Sequence, residues 1–321
     1  MIMKYIKLGN SDLNVSKICL GCMSFGEANK GQYEWTLNYE DSKNIITNAY
    51  EAGINFFDTS NNYSEGTSEM FLGKVIKDFN RKDIVITTKC YFNEGKLAPE
   101  AIHREVINSL KKLDTDYIDI LVLHRFDYDT PVEDTLKALN EEVKLGHIHY
   151  YGASAMYANQ FEEYCSKAQK LGFQPFTTLQ NHYSLIYRED EKELIPVAEK
   201  YGVSRTSFAP FAAGRLARKD WESDSKRYTL DKAEGTRYDK TEQEDKKIAQ
   251  RVFDLSLKYN CSMTNICLAW QYAKGVASPI VGITKQKHLD DALNCFNITL
   301  TNDDINYLDE LYVTHPINCN R

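Results

Sequence analysis

The stretch Gly53-Ile54-Asn55-Phe56-Phe57-Asp58-Thr59-Ser60-Asn61-Asn62-Tyr63 decides how this chain is read. Ile54 to Phe57 is a short, mostly apolar run with the length of a buried strand. Asp58 follows where such a strand would leave the core. Packing explains it poorly, because an unpaired buried carboxylate is costly. A polar turn rich in Asn and Ser then leads to Tyr63. This order holds a carboxylate and a phenol over one end of a sheet. A lone Asp after a strand is more often a turn or cap residue, and a lone loop Tyr more often packs, so the reading depends on partners.

The chain offers two. Ile84-Val85-Ile86-Thr87-Thr88-Lys89 is a second buried-looking strand, ending on a lysine. Ile118-Asp119-Ile120-Leu121-Val122-Leu123-His124 is a third, ending on a histidine. In a parallel α/β barrel the C-terminal strand ends share one face, which holds the active site. Three successive strand ends with complementary acid–base groups are poorly explained by packing alone.

Asp58, Tyr63, Lys89 and His124 resemble the catalytic tetrad of the aldo-keto reductases in order, residue type and spacing. The resemblance covers nearly the whole chain. It is nearest to the aryl-alcohol-dehydrogenase-like branch, through Leu20-Gly21-Cys22-Met23-Ser24-Phe25-Gly26, Asn61-Asn62-Tyr63-Ser64-Glu65-Gly66, and the segment from Ala292 through Tyr312-Val313-Thr314-His315-Pro316. It implies an α/β fold, a (β/α)8 TIM barrel with an N-terminal β-hairpin and extra helices. It also implies carbonyl reduction by hydride from NADP(H), with Tyr63 as proton donor, Lys89 lowering the pKa of that phenol, Asp58 holding Lys89 charged and oriented, and His124 orienting the substrate.

The length and composition agree with a globular barrel. The chain has 321 residues, 42% hydrophobic and 26% charged, with a net charge of -7. A negative balance argues against non-specific nucleic-acid binding, and no run of roughly 18 apolar residues suggests a membrane span. The eight cysteines are scattered and show no secreted disulfide framework, so a reduced, cytoplasmic setting is expected. Cys19-Leu20-Gly21-Cys22 has CxxC spacing but no second pair to complete a metal site. No linker of Pro, Gly or Ser divides the chain, so residues 1–321 are read as one domain, a monomer or small homo-oligomer.

Taken in order, Met3–Leu8 and Leu13–Val15 flank a turn and read as a hairpin. Strands are expected at Lys17–Gly21, in the opening stretch, at 84–89, 118–124, Ile148–Ala153, Thr177–Asn181, Arg205–Ala209 and Ser278–Gly282. Helices are expected at Ser42–Ala52, Ser68–Phe79 with Ser68 as cap, Pro99–Leu113, Pro131–Leu145, Asn159–Leu171, Glu189–Tyr201, Glu244–Tyr259, Thr264–Ala273, Gln286–Phe296 and Asn302–Leu311. A charged loop of about Phe211 to Glu242 is expected to be mobile without ligand, and Asp220–Asp245 to be solvated.

On the cofactor side, no GxGxxG opens a strand–helix unit, which suits a family without a Rossmann turn. The resemblance places Met23 under the cofactor, and Ser154 and Gln180 at the nicotinamide carboxamide. It sets Phe208 as a stacking ring, with Asn181 as a further contact. Ala209, Pro210, Phe211, Gly214 and Arg215 fall in the pyrophosphate loop, with Arg218 nearby. Thr284 and Lys285 are placed for the 2′-phosphate of NADP, which is preferred over NAD, with Gly282 and His288 in the same cofactor-binding segment, His288 standing where many members have Arg or Gln. Trp35, Tyr91, Phe92, Arg125 and Phe126 are candidates for the substrate pocket. The aromatics favour an aryl or apolar carbonyl, whereas Arg125 would suit an anionic one such as a sugar phosphate.

Two rival readings remain: a Schiff-base aldolase using Lys89, and a cofactor-binding regulatory subunit with little turnover. His147-Ile148-His149 puts two imidazoles on one face of a strand. A metal would need a third ligand, which the sequence does not show, so no metal is expected.

Overall fold

The computed structural model describes residues 3–31, 33–221, 229–231 and 238–317. A two-stranded antiparallel hairpin, β1 (Tyr5–Lys7) and β2 (Asn14–Ser16), precedes eight parallel strands. These are β3 (Cys19–Gly21), β4 (Phe56–Asp58), β5 (Val85–Cys90), β6 (Ile118–Leu123), β7 (Ile148–Ser154), β8 (Thr178–Gln180), β9 (Ser204–Arg205) and β10 (Ile280–Gly282). They are ordered β10-β3-β4-β5-β6-β7-β8-β9. Ala277 N–H donates to Arg205 O and Ile280 N–H to Ser207 O, both at 2.9 Å, so the two end strands are joined and the sheet closes on itself. Helices between the strands cover the outside.

Successive side chains of a strand point to opposite faces. Phe56, Val85, Ile120, Val122 and Ile280 therefore meet inside the ring, with Cys19, Ala277 and the hairpin residues Leu8 and Val15. The hairpin plugs the lower opening, pinned by Gly9 N–H donating to Ser204 Oγ at 2.7 Å. The alternate residues Phe57, Ile86, Leu121, Leu123, Ala153 and Leu179 face outward. They pack on helix residues such as Ile46, Leu72, Val106, Leu136 and Phe161. The inward rows continue upward into polar groups. Asp58 follows Phe56 on β4, Lys89 follows Val85 and Thr87 on β5, and His124 follows Ile120 and Val122 off β6.

Several boundaries differ from expectation for local reasons. The helix expected from Ser42 begins at Tyr39, because Asn38 Oδ1 accepts from Asp41 N–H at 2.9 Å and caps it earlier. Ser68 is not a cap. It is buried inside helix Thr67–Val75, and its hydroxyl bonds Cys22 O and Thr59 Oγ1. The helix expected at Glu189–Tyr201 is split into a turn at Glu189–Glu191 and a helix at Leu194–Lys200. Pro196 accounts for the break, since its ring would clash with the carbonyl four residues back. Strand β9 is shorter than expected, and Ala209 leaves it with φ of 55°. Asp245, expected in a solvated stretch, is fully buried against His315. Residues 222–228 and 232–237 of that charged loop lie outside the described residues.

Gly152 lies in the inward row of β7, where the lumen narrows. A Cβ there would sit 2.6 Å from Thr178 Cγ2 and 2.7 Å from Thr178 O. Gly152→Ala is expected to destabilise the fold by about 1–3 kcal/mol through overpacking. Chemical unfolding of both proteins checks this; an unchanged midpoint and slope would contradict it.

Candidate active site

At the upper end of the lumen, Lys89 is the centre of a closed network. Its Nζ donates to Asp58 Oδ1 at 2.6 Å, to Thr59 O at 2.7 Å and to Tyr63 Oη at 3.3 Å. An ammonium has three N–H donors, so all three are used and the group is held in one orientation. Asp58 and Lys89 are almost wholly buried, at 2% exposure each. The second oxygen of Asp58 accepts from Gln180 Nε2 at 2.6 Å. With that amide nitrogen committed, Gln180 Oε1 is the atom left to accept a bond.

Burial works against the charge on Lys89, but Asp58 and Tyr63 more than offset it, and its pKa is raised above the ordinary value. Burial pushes the Tyr63 phenol up to about 12, with Lys89 pulling it down and Asp58 pushing it up. The sequence reading expected Lys89 to leave Tyr63 a stronger acid than a free phenol. The ammonium does act in that direction, but burial outweighs it. His124 is pushed well below its ordinary pKa by burial, then by Lys89 and Arg125, so it is a neutral imidazole.

Ser60 explains how that imidazole is set. Ser60 Oγ accepts from Asn62 N–H at 3.2 Å and lies 3.3 Å from His124 Nδ1. Its own hydrogen can then go to Nδ1, which leaves the imidazole proton on Nε2 as a donor. The loop is anchored outside by Asn61 Nδ2 donating to the buried Glu105 carboxylate at 3.0 Å. Ser64, Glu65 and Gly66, just after Tyr63, all have left-handed φ, of 46°, 53° and 86°. Such conformations are strained for Ser and Glu. The type of Ser60 and Asn61 is visible in the opening stretch, but their partners lie 64 and 44 residues away, which sequence spacing does not reveal.

Aromatic groups ring the Tyr63–His124 pair. Their own rings are 6.1 Å apart and nearly perpendicular. Phe92 meets His124 edge-on at 4.9 Å, Tyr91 packs on Phe92, and Arg125 lies 5.5 Å over the Phe92 ring. Arg125 Nη1 also donates to His124 O at 2.7 Å. Tyr33 faces Tyr63 at 6.3 Å, while Trp35, named from sequence as a pocket residue, is buried behind Tyr33 at 5.5 Å. Phe126 turns toward Tyr128 and Tyr164.

The residues expected around a dinucleotide lie along the same upper end. Ser154 is paired in register with Gln180 on adjacent strands. Asn181 points the other way, its amide held by Asp190 and Ser207, so it does not join Gln180. Phe208 stacks on His182 at 5.3 Å and 10°. Ala209 is left-handed, and after Pro210 and Phe211 the residues Ala212, Ala213 and Gly214 are too, with φ of 47°, 55° and 94°. Consecutive turns of this kind can aim backbone N–H groups into one anion-binding concavity. A Cβ on Gly214 would come within 2.7 Å of Arg218 Nη2, so Arg218 lies over this loop. Arg215 instead sits against the rings of Tyr238 and Trp221. Met23 is in the short turn after β3, and Gly282 ends β10. His288 bonds Thr284 Oγ1 at 3.3 Å. Its pKa is lowered by burial and then by the charge of Lys285, with Lys287 and Arg218 adding to it, so cations gather there.

The sequence model of the Aldo/keto reductase family matches residues 17–313. The chain belongs to the aldo-keto reductase family. It is 38% identical to the versiconal hemiacetal acetate reductase of Aspergillus parasiticus, over 98% of both chains. It is 36% identical to an aldo-keto reductase of Fusarium vanettenii, over 98% of this chain and 92% of that one. Relatives in Schizosaccharomyces pombe and Saccharomyces cerevisiae carry provisional aryl-alcohol dehydrogenase names, in keeping with the branch resembled in sequence. A solved thermostable aldo-keto reductase in complex with the inhibitor epalrestat superposes with a TM-score of 0.79 at 27% identity, covering 96% of this chain and all of that one. As an aldo-keto reductase the chain is an NAD(P)H-dependent oxidoreductase acting on carbonyls. Among the described residues, no helix is long and apolar enough to cross a membrane.

Proposed function

We propose that this aldo-keto reductase reduces an aryl or otherwise apolar aldehyde or ketone with NADPH, with Tyr63 donating the proton. The carrying observation is the saturated Lys89 ammonium 3.3 Å from the Tyr63 oxygen. The dinucleotide supplies the hydride. As negative charge grows on the carbonyl oxygen, Tyr63 gives it a proton, and Lys89 stabilises the phenolate left behind by charge and by its hydrogen bond. Asp58 keeps Lys89 charged in the buried lumen. His124, neutral with its proton on Nε2, donates a second bond to the same oxygen and orients the carbonyl. The high resting pKa of Tyr63 keeps its proton in place until that oxygen becomes basic.

The chain's residues fit the dinucleotide at three points. Ser154 and Gln180 Oε1 are suited to its carboxamide, and Phe208 to its ring. The left-handed Ala212–Gly214 loop and Arg218 suit the pyrophosphate. Thr284, Lys285 and the neighbouring Arg218 suit a 2′-phosphate, which favours NADPH over NADH. Tyr33, Tyr91 and Phe92 would border the substrate and favour an apolar one. Arg125 is engaged by Phe92 and the His124 carbonyl, which counts against an anionic substrate. A Schiff-base aldolase needs an unprotonated lysine. The three hydrogen bonds and raised pKa of Lys89 oppose that role.

Two outcomes check this reading. Tyr63→Phe is expected to bind NADPH as the parent does and to lose about 10²–10⁴ of kcat on aryl aldehydes. NADPH fluorescence titration and absorbance assays measure both; unchanged turnover would remove Tyr63 as donor. Lys285→Ala is expected to weaken NADPH by roughly 10-fold or more, the worth of a charged hydrogen bond, and to leave NADH nearly unaffected. Equal losses for both cofactors would remove Lys285 from the 2′-phosphate site.

A further inference from the structure

The two histidines at the start of β7 do not act together. His149 stacks on Tyr117 at 4.4 Å. His147 turns toward Glu142, at the end of helix Val132–Lys144, and there meets His103 from helix Pro99–Leu113. His103 Nδ1 lies 2.8 Å from Glu142 Oε1, and His147 Nδ1 lies 2.8 Å from Glu142 Oε2. One ligand atom from each of the three side chains lies within 4.8 Å of the other two. Of the sequence pair only His147 belongs to the cluster; the other two groups come from neighbouring helices, Glu142 five residues earlier and His103 44 residues earlier.

We propose that His103, Glu142 and His147 form a binding site for one zinc-like divalent cation on the outer face of the barrel. Two imidazole nitrogens and one carboxylate are a borderline donor set, which selects zinc over magnesium or calcium. Tetrahedral zinc, with bonds of about 2.0–2.1 Å, spaces its ligand atoms by roughly 3.3 Å. Each imidazole nitrogen already lies 2.8 Å from a Glu142 oxygen, and the exposed His103 ring is the member with room to adjust toward that spacing. Glu142 is buried at 3% exposure and fixed at a helix end, so its position is largely set beforehand. In the metal-free cluster each imidazole can donate from Nδ1 to one carboxylate oxygen. On binding, each neutral ring shifts that proton from Nδ1 to Nε2, a change of tautomer through solvent, and presents the Nδ1 lone pair. No proton is released from neutral rings, and one is released from any ring that was protonated. The exposed side of His103 leaves room for water as fourth ligand.

The cation would join two helices to the entry of β7. Ser154, at the cofactor end, lies at the far end of that strand, roughly 20 Å away at the rise of an extended chain. The site therefore acts on stability rather than on the chemical step, because a ligand bound only by the folded state shifts unfolding by mass action.

The test uses the full chain after treatment with a chelator. Isothermal titration with zinc chloride and thermal melts with zinc or magnesium are run on the parent, His103→Ala and His147→Ala. The parent is expected to bind one zinc ion in the micromolar range and to melt a few degrees higher with it, with no shift from magnesium. Both variants are expected to bind at least about 10-fold more weakly and to lose the shift. His103 is exposed, so its variant reports even if His147→Ala folds poorly. His103→Ala should reduce carbonyls as the parent does without zinc. No binding below about 1 mM zinc, binding unchanged in His103→Ala, or an equal shift with magnesium would overturn the proposal.

Discussion

The buried ion pair between Lys89 and Asp58 is the contact on which the rest of the upper barrel depends. Removing two charges from water is expensive, and their attraction offsets it only where the other hydrogen-bonding capacity is also satisfied. Here it is: Thr59 O and Tyr63 take the remaining Lys89 hydrogens, and Gln180 takes the second Asp58 oxygen. Asp58, Thr59 and Tyr63 come from the end of β4 and the loop after it, Lys89 from β5 and Gln180 from β8. The pair therefore fixes the relative height of β4, β5 and β8, and it fixes Tyr63 through the ammonium. Loss of one member would leave an uncompensated buried charge, at a cost of about 3–5 kcal/mol.

This arrangement separates rigidity from selectivity. Of the groups proposed to carry the proton transfer, Asp58, Lys89 and His124 stand on, or directly after, buried strands, and Tyr63 follows on the loop after β4. The aromatic residues around them, Tyr33, Tyr91 and Phe92, stand on loops that can vary without moving the strands. The loops after β7 and β9, proposed to face the dinucleotide, carry left-handed alanines at 155, 209, 212 and 213. That concentration of unusual backbone at one end of the barrel fits binding by main-chain groups, and it explains why no glycine-rich motif marks the site in sequence.

Much of the fold was legible because strand periodicity is local. The inward row Phe56–Asp58 and the outward Phe57 can be read directly from the opening stretch, and the same holds for Val85, Thr87 and Lys89. What was not legible depends on sums over distant neighbours. Tyr63 is a weaker acid than expected because burial outweighs the lysine, and burial is a property of the assembled barrel. Asn181 could not be told from Gln180 in role until the strand was placed, after which alternation alone turns it outward. Asp245 looked like part of a solvated charged run, but His315, 70 residues later, covers it. Arg215 and Arg218 were equivalent in sequence; ring contacts take the first and the close approach to Gly214 places the second. His103 and Glu142 gave no signal at all, since helix packing brings them to His147.

The most direct measurement is a crystal structure of the protein with an oxidised nicotinamide dinucleotide and an unreactive carbonyl analogue. The account predicts that the analogue's oxygen lies within hydrogen-bonding distance of both Tyr63 Oη and His124 Nε2, beside the reactive carbon of the nicotinamide. Lys89 should keep its contacts to Asp58 and Tyr63. A carbonyl oxygen bound away from Tyr63, or a Lys89 side chain that leaves Asp58 to meet the ligand, would contradict it.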